Sequence, residues 1–246
     1  MIEAITNRTS ILVNKNGIKK LENINIFLAG VGGVGSFVAE ALARAGIGSI
    51  TLIDNDVVDI SNINRQLIAL HSTVGKSKVE VMKQRILDIN PECKIDAKQL
   101  FIIPENTEEL LNEKKYDYVI DAIDTLNSKV NLVKTSHEMG IKTISSMGAG
   151  GKTDPTQIRV DDLYKTRECA LARVMRTRLK KLDVKQGITT VFSTEQGIAP
   201  LPPIENSDDE GRSRATNGTL SYMPSLFGLT IAGIVIKDIV GEDFNK

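Results

Sequence analysis

Gly30, Gly32 and Gly35 stand in the run Gly30-Val31-Gly32-Gly33-Val34-Gly35, and Asp54 follows the last of them by 19 residues. This is G-x-G-x-x-G with an acid at the distance where the motif sets a carboxylate on an adenosine ribose. The first glycine permits a tight turn, the second lets a phosphate approach the backbone, and the third lets a helix pack on a strand. Further on, Arg65 offers a fork of donors for phosphate oxygens, with Asn64 and Gln66 as neutral donors beside it. Lys78 adds a second positive charge, and Asp124 a carboxylate suited to a metal or a reacting group. NAD, FAD and ATP all contain adenosine, so the glycine motif does not choose among them. The concentrated charge of Arg65 and Lys78 fits a triphosphate extending beyond the ribose.

The elements that must position these residues follow from the pattern around them. Ile26 to Ala29 is a short apolar run of the buried-strand kind. A helix from Ser36 to Arg44 would aim its first N–H groups at a phosphate. Ser49 to Ile53 is the next strand, closed by Asp54. A helix from about Lys78 to Asn90, stopped by Pro91, puts Lys78 at the same end of the sheet as the glycine turn. Strands over Lys94–Phe101, Asp117–Ile123 and Ile141–Ser145 alternate with helices over Thr107–Lys115 and 126–139. Alternation through 24–151 predicts an α/β fold with a Rossmann-like, doubly wound, mostly parallel sheet. In such sheets ligands lie at the carboxyl ends of the strands, at the switch in strand order. Asp124 falls just past such an end, but position alone also allows Asp124 or Thr125 to start the next helix as its cap. The glycine-rich turn Ser145 to Gly151 falls on the same side and would line a pocket.

Outside this core the chain changes character. Residues 1–23 read as a short helical arm with Ile11, Leu12, Ile18 and Leu21 on its apolar side; Arg8, in the polar NRTS run, reads by spacing alone as a solvated surface residue. The last third, 152–246, reads as a C-terminal α/β extension. It holds a strand over Gln157–Val160, a helix over Glu168–Leu182 and a strand over Thr189–Ser193. The helix sets Leu171, Val174, Met175, Leu179 and Leu182 on one face and Arg173, Arg176, Arg178, Lys180 and Lys181 on the other. That second face is either solvated or a contact for an RNA backbone. Residues 197–218, rich in Pro, Ser, Asn and charge, read as a long mobile loop or lid. Met223 to Ile236 is apolar but shorter than the ~20 residues of a membrane span, so a buried helix is expected, with Gly228 and Gly233 letting a neighbour come close.

Composition sets the outer limits. At 246 residues the chain suits one large domain. Lys+Arg and Asp+Glu are both 31, which removes any global charge argument for nucleic acid and leaves only a local patch. Two cysteines, Cys93 and Cys169, with no C-x-x-C, argue for a reducing cytoplasm and against a cysteine zinc site. The first residues lack the apolar core of a signal peptide.

The combination GVGGVGS, D-N-D, SNINRQ, VGKSK and DAID resembles the ubiquitin-activating (ThiF/MoeB-like) superfamily of adenylating enzymes. Within it, GAGGKTDPTQIRVDDLYKT, LARVMRTRLKK, VFSTE and GTLSYMPS resemble the tRNA threonylcarbamoyladenosine dehydratase branch, over about Arg8 to Gly241. The resemblance implies a single adenylating domain, 1–246, working with ATP and Mg2+ and leaving room for a monovalent cation. It implies nucleotide contacts at Gly30, Gly32, Gly33, Gly35, Asp54, Asp56, Asn64, Arg65, Gln66 and Lys78. Asp124 would serve the metal and the adenylation step, and Arg8 would reach into the partner's site in a homodimer. tRNA is the implied substrate and a sulfur-transfer protein a further partner. The missing C-x-x-C pairs count against the sulfur-carrier enzymes of the superfamily, which commonly hold a structural zinc. The rival readings are adenylation of a ubiquitin-like carrier protein, NAD-dependent oxidoreduction, and a nucleotide-binding scaffold.

Overall fold

The computed structural model of the chain describes residues 2–199, 201 and 217–245. The arm expected as one piece is three short helices, α1 (Ile2–Ile5), α2 (Thr9–Leu12) and α3 (Lys15–Glu22). Its expected apolar side is only partly inward. Leu21 is buried and Ile18 packs on the core, but Ile11 and Leu12 are exposed. Val13 is buried in their place, bridged to Phe244.

The core then runs β1 (Asn25–Ala29), α4 (Gly35–Ala45), β2 (Ser49–Ile53), α5 (Lys78–Ile89), β3 (Lys94–Lys98), α6 (Pro104–Asn112), β4 (Tyr118–Asp121), α7 (Leu126–Glu138) and β5 (Lys142–Ser146). β3 stops at Lys98, short of the expected Phe101, where its register with β2 ends at Ile53. Pro104 opens α6 ahead of the expected Thr107; its fixed φ and missing N–H suit a first helical position. β6 (Ile158–Asp162), α8 (Ala170–Lys180), β7 (Thr189–Ser193) and α9 (Tyr222–Val240) follow.

The sheet order is β3-β2-β1-β4-β5-β7-β6. Every pairing is parallel except β6 with β7. β1, β2 and β4 are buried on both faces, as strands sandwiched between helical layers must be. The chain moves outward from β1 through β2 and β3, then returns to the other flank of β1 as β4. The switch point therefore lies between β1 and β4, above Gly30 and Ala122. The last third completes this sheet rather than forming a layer of its own, because β7 inserts between β5 and β6.

α9 is 19 residues, longer than the apolar run expected over 223–236, and by length and composition alone it would cross a membrane. Its inner side (Met223, Phe227, Ile231 and Val235) is fully buried in the main core, against α4 and α3. Gly228 is what lets it approach: a Cβ there would lie 2.4 Å from the Val34 carbonyl oxygen. Gly233 has no such task, since a Cβ there meets nothing within 4 Å. Most of the lid expected over 197–218 lies outside the described residues.

Candidate active site

A cavity of about 820 Å³ opens at the switch point, lined by Gly30, Gly32, Gly33, Asp54, Asp56, Arg65, Gln66, Lys78 and Asp124 together. The glycine turn builds its floor. Gly30 has φ +86° and its N–H donates to the Ile53 carbonyl at 2.8 Å, so β1 turns sharply while still tied to β2. A Cβ on Gly35 would lie 1.8 Å from the Gly30 carbonyl oxygen, which fixes the third glycine of the motif sterically. At Gly32 the nearest atom to such a Cβ is Gln66 Nε2 at 3.6 Å, so its backbone stands open to a ligand.

Asp54 leaves the end of β2 and braces the turn. Its Oδ2 accepts the Val31 N–H at 2.7 Å and its Oδ1 the Asp56 N–H at 2.9 Å. Burial lifts this carboxyl above the ordinary aspartate value, although the Val31 N–H and the Lys78 charge pull the other way. Lys78, at the start of α5, is buried, and its ammonium lies 2.6 Å from Asp56 Oδ2. Arg65 is half-buried; its Nη1 donates to the Ser61 carbonyl at 2.9 Å and to Asn64 Oδ1 at 2.8 Å. Asn64 in turn donates to the Thr219 carbonyl at 3.1 Å, tying this loop to the start of α9. Gln66 is buried with its Oε1 unpartnered, an acceptor that a nucleotide donor would satisfy. A buried amide oxygen without a partner costs about 1–3 kcal/mol, so this atom fits a liganded site better than an empty one.

Asp124 is exposed at the cavity wall, touching only the Thr125 hydroxyl at 3.4 Å. Of the two cap alternatives, Thr125 stands at the N-cap of α7, though its side chain makes no capping hydrogen bond, and Asp124 lies one residue outside it. What holds Asp124 in place is a buried set that the sequence did not single out. Asp121 and Lys129 are both fully buried with Nζ 2.8 Å from Oδ2, and Ser145 donates to the same oxygen at 2.5 Å. Asp121 Oδ1 accepts the Ile123 N–H at 3.1 Å, and Lys129 donates to the Ile123 carbonyl at 3.1 Å. Both polar groups of the residue before Asp124 are thus pinned. The sequence signals for Asp121 are an acid inside an otherwise apolar strand and its place at the head of the DAID motif.

Among the described residues no group of three or more His, Cys, Asp or Glu converges on a metal. The donor set fits Mg2+ nonetheless, since that ion is usually held by one or two carboxylates plus substrate phosphates. Asp124 would supply the carboxylate.

Arg8 is exposed and does not line this cavity. The basic residues of α8 do not line it either, although Glu168, Cys169, Ala170 and Leu171 do. Nor is the basic face as free as its sequence reads. Arg176 is drawn inward to the Thr166 hydroxyl and carbonyl, and Arg178 donates to Asn127 Oδ1 at 2.6 Å. Arg173, Lys180 and Lys181 remain exposed. The apolar face is corrected too: Ala172, Met175 and Leu179 are buried, whereas Val174 and Leu182 are exposed. Cys93 is buried far from the cavity, and burial pushes its thiol up to about 12.

The ThiF family profile matches residues 6–246. The tRNA threonylcarbamoyladenosine dehydratase of Bacillus subtilis is 44% identical over 240 residues, covering 96% of this chain and 94% of that one. Its namesake in Haemophilus influenzae is 45% identical over 237 residues, covering 93% and 90%. The solved structure of E. coli tRNA N6-threonylcarbamoyladenosine dehydratase in complex with AMP superposes with a TM-score of 0.87 at 38% identity, covering 98% of this chain and 95% of the other. Its ATP complex gives the same TM-score at 36% identity. By sequence, by fold and by the placement of its glycine turn, the chain belongs to the ThiF family, in the branch of the tRNA threonylcarbamoyladenosine dehydratases.

Proposed function

We propose that this chain dehydrates threonylcarbamoyladenosine in tRNA, using ATP to cyclise the modified base through an acyl-adenylate. The observation that carries the reading is the convergence of Asp54, Arg65, Lys78 and Asp124 on one cavity at the switch point. It does so in a chain aligned over 96% of its length with a dehydratase.

The chemistry explains why such a cavity is needed. A carboxylate is a poor electrophile because oxide is a very poor leaving group. One carboxylate oxygen attacks the α-phosphorus of ATP, the bond to the bridging oxygen breaks, and pyrophosphate leaves. The carbamoyl nitrogen then closes on the acyl carbon; AMP departs with the former carboxylate oxygen, and the nitrogen's proton is released. This second step is intramolecular, so proximity removes much of its barrier and no protein nucleophile is required. The protein's work is positioning and charge. The N–H groups of the glycine turn and the start of α4 receive phosphate oxygens. Asp54 accepts from the ribose hydroxyls. Arg65 and Lys78 neutralise the charge that moves onto the departing pyrophosphate. Asp124 would hold Mg2+, which would supply further positive charge to stabilise the same developing charge.

Two parts of the reading reach beyond this chain. Arg8, exposed on the arm, would enter the cavity of a second copy in a homodimer. Arg173, Lys180 and Lys181 supply the local positive patch that a chain with no net charge needs to hold tRNA. Adenylation of a carrier protein is the second reading, supported by adenylyltransferases that align with about half of the chain. Mass spectrometry of a digest of tRNA treated with the protein, ATP and Mg2+ tests both. ATP-dependent loss of one water from threonylcarbamoyladenosine is the expected result. An unchanged base, with AMP appearing on the C-terminus of a partner protein, would replace the first reading with the second.

A further inference from the structure

Among the described residues the buried lysines are Lys78, Lys129 and Lys152. Two have a carboxylate in contact: Asp56 lies 2.6 Å from Lys78 and Asp121 lies 2.8 Å from Lys129. Lys152 has none among the described residues. It is 6% exposed, follows the glycine-rich turn after β5, and lines the far half of the cavity, away from the nucleotide turn. Its ammonium donates to the backbone carbonyl of Glu195. The Glu195 carboxylate feels the Lys152 charge through space but makes no ion pair with it; it accepts the Thr153 N–H at 2.9 Å, the Thr153 hydroxyl at 2.9 Å and the Asp154 N–H at 3.0 Å. One carbonyl asks for one donor, which a neutral glutamine would supply. An ammonium brings three donors and a full charge, and burying that charge unpaired is costly.

The surroundings of Lys152 are built around it. Gly151 has φ +69°, and a Cβ there would lie 2.7 Å from the Ile198 carbonyl oxygen. The Ile198 N–H donates to the Gly151 carbonyl at 2.8 Å and the Gly151 N–H to the Gly218 carbonyl at 2.8 Å. Two later segments of the chain are thereby strapped across this turn. Gly197 flanks the ammonium, where a Cβ would sit 3.4 Å from both Cε and Nζ, so the glycine leaves that side clear.

We propose that Lys152 is the counter-charge for the carboxylate of the acyl substrate, completing an ion pair that the described residues leave open. The inference rests on the dehydratase reading, in which a carboxylate must be brought against the α-phosphate of a triphosphate. Those two anions repel each other; Arg65 and Lys78 relieve the repulsion from the phosphate side and Lys152 from the acyl side. The pair lasts only as long as the substrate is ionised. Adenylation converts the carboxylate to a neutral acyl group, and the cyclised base carries no charge at that position. Lys152 therefore holds substrate more tightly than product, which favours release once the ring has closed.

The test compares two probes as competitive inhibitors of tRNA dehydration: threonylcarbamoyladenosine as the free nucleoside, and its analogue with a carboxamide in place of the carboxylate. The wild-type protein should prefer the acid. Lys152→Met should lose that preference and raise KM for modified tRNA roughly ten- to a hundredfold, the span of one charge-assisted hydrogen bond. Its affinity for ATP, which also reports that the variant is folded, should be unchanged. Lys152→Arg should keep the preference for the acid. If the wild type dehydrates tRNA and Lys152→Met still prefers the acid, the inference is overturned while the dehydratase reading stands. If the wild type leaves the modified base intact, that reading falls and takes the inference with it.

Discussion

The larger of the two main cavities among the described residues lies away from the switch point. A groove of about 970 Å³ runs along the amino ends of β1, β4 and β5, where Lys19, Lys20, Lys114, Lys115 and Lys142 face Asp117 and Asp238. The nucleotide cavity, at about 820 Å³, occupies the carboxyl ends. Volume and lysine content both favour the groove; the state of the charges favours the cavity. At the groove three lysines are exposed and paired: Lys20 with Asp243 at 2.6 Å, Lys114 with Asp96 at 2.8 Å, Lys142 with Asp238 at 2.6 Å. Such pairs contribute about 0–1 kcal/mol each and ask nothing of a ligand. In the cavity the lysines are buried, an amide oxygen is orphaned, and glycine exposes the backbone. A site is marked by groups whose desolvation the protein alone does not repay, and of the two places the cavity is the one lined by such a group, Gln66 Oε1.

The contrast is easiest to break by comparing one ion pair from each end. Lys129→Met should destabilise the fold by about 3–5 kcal/mol, because it leaves Asp121 buried and uncompensated. Lys142→Met should change stability by less than about 1 kcal/mol. Urea denaturation of both variants decides; equal losses would mean that the pair beneath Asp124 is no more critical than the one in the groove. Catalysis should divide in the same way. Lys78→Ala and Asp124→Ala should each lower turnover by about a hundredfold or more with the fold intact, while Lys114→Ala in the groove leaves it unchanged. Full activity in either cavity variant would remove that residue from the site.

Titration sharpens the comparison. Burial raises the Asp54 carboxyl, and its ionised form is the one that accepts ribose hydroxyls. ATP affinity should therefore be full at neutral pH and fall as the pH drops through a midpoint above that of a solvated aspartate. In the groove the balance runs the other way: burial pushes Asp238 up, but its bonds to Lys142 and Tyr118 hold it below the ordinary value. Isothermal titration of ATP across acidic pH would show the loss in the wild type and uniformly weak binding in Asp54→Asn; a loss that Asp54→Asn also shows would assign it to another group. The smallest effect belongs to the surface. Reversing Arg173 and Lys180 to Glu should weaken tRNA binding and reduce its salt slope by about one for each phosphate no longer neutralised. The same change at Lys19 and Lys115 should leave both untouched. Equal effects at the two places would make tRNA binding a property of diffuse charge rather than of α8.

The site was legible in the sequence wherever its geometry is local. Gly30, Gly32, Gly35 and Asp54 belong to one strand–turn–helix–strand unit, and the conformations they need are set by residues within that unit. Arg65, Lys78 and Asp124 follow the same logic, each near the carboxyl end of a strand that its neighbours predict. What escaped was decided by distant parts of the chain. Lys152 has no local signal to single it out; residues 197–198 and 217–218 close over its turn from far along the chain. Arg176 reads as one more solvated cation until Thr166, ten residues earlier, folds back to receive it. Thr189–Ser193 reads only as a strand, and its place between β5 and β6 is a choice made by pairing rather than by periodicity. Gly228 and Gly233 look alike in the apolar run of α9, and only the position of α4 separates the one that matters from the one that does not.

Gly228 has one more consequence, and it concerns time. The turn that receives the nucleotide is synthesised well before the helix packed against its back. Until α9 is made, the Val34 carbonyl and Val38 lack the helix that packs on them. A chain short of α9 therefore carries every residue of the phosphate turn without the helix packed against its back.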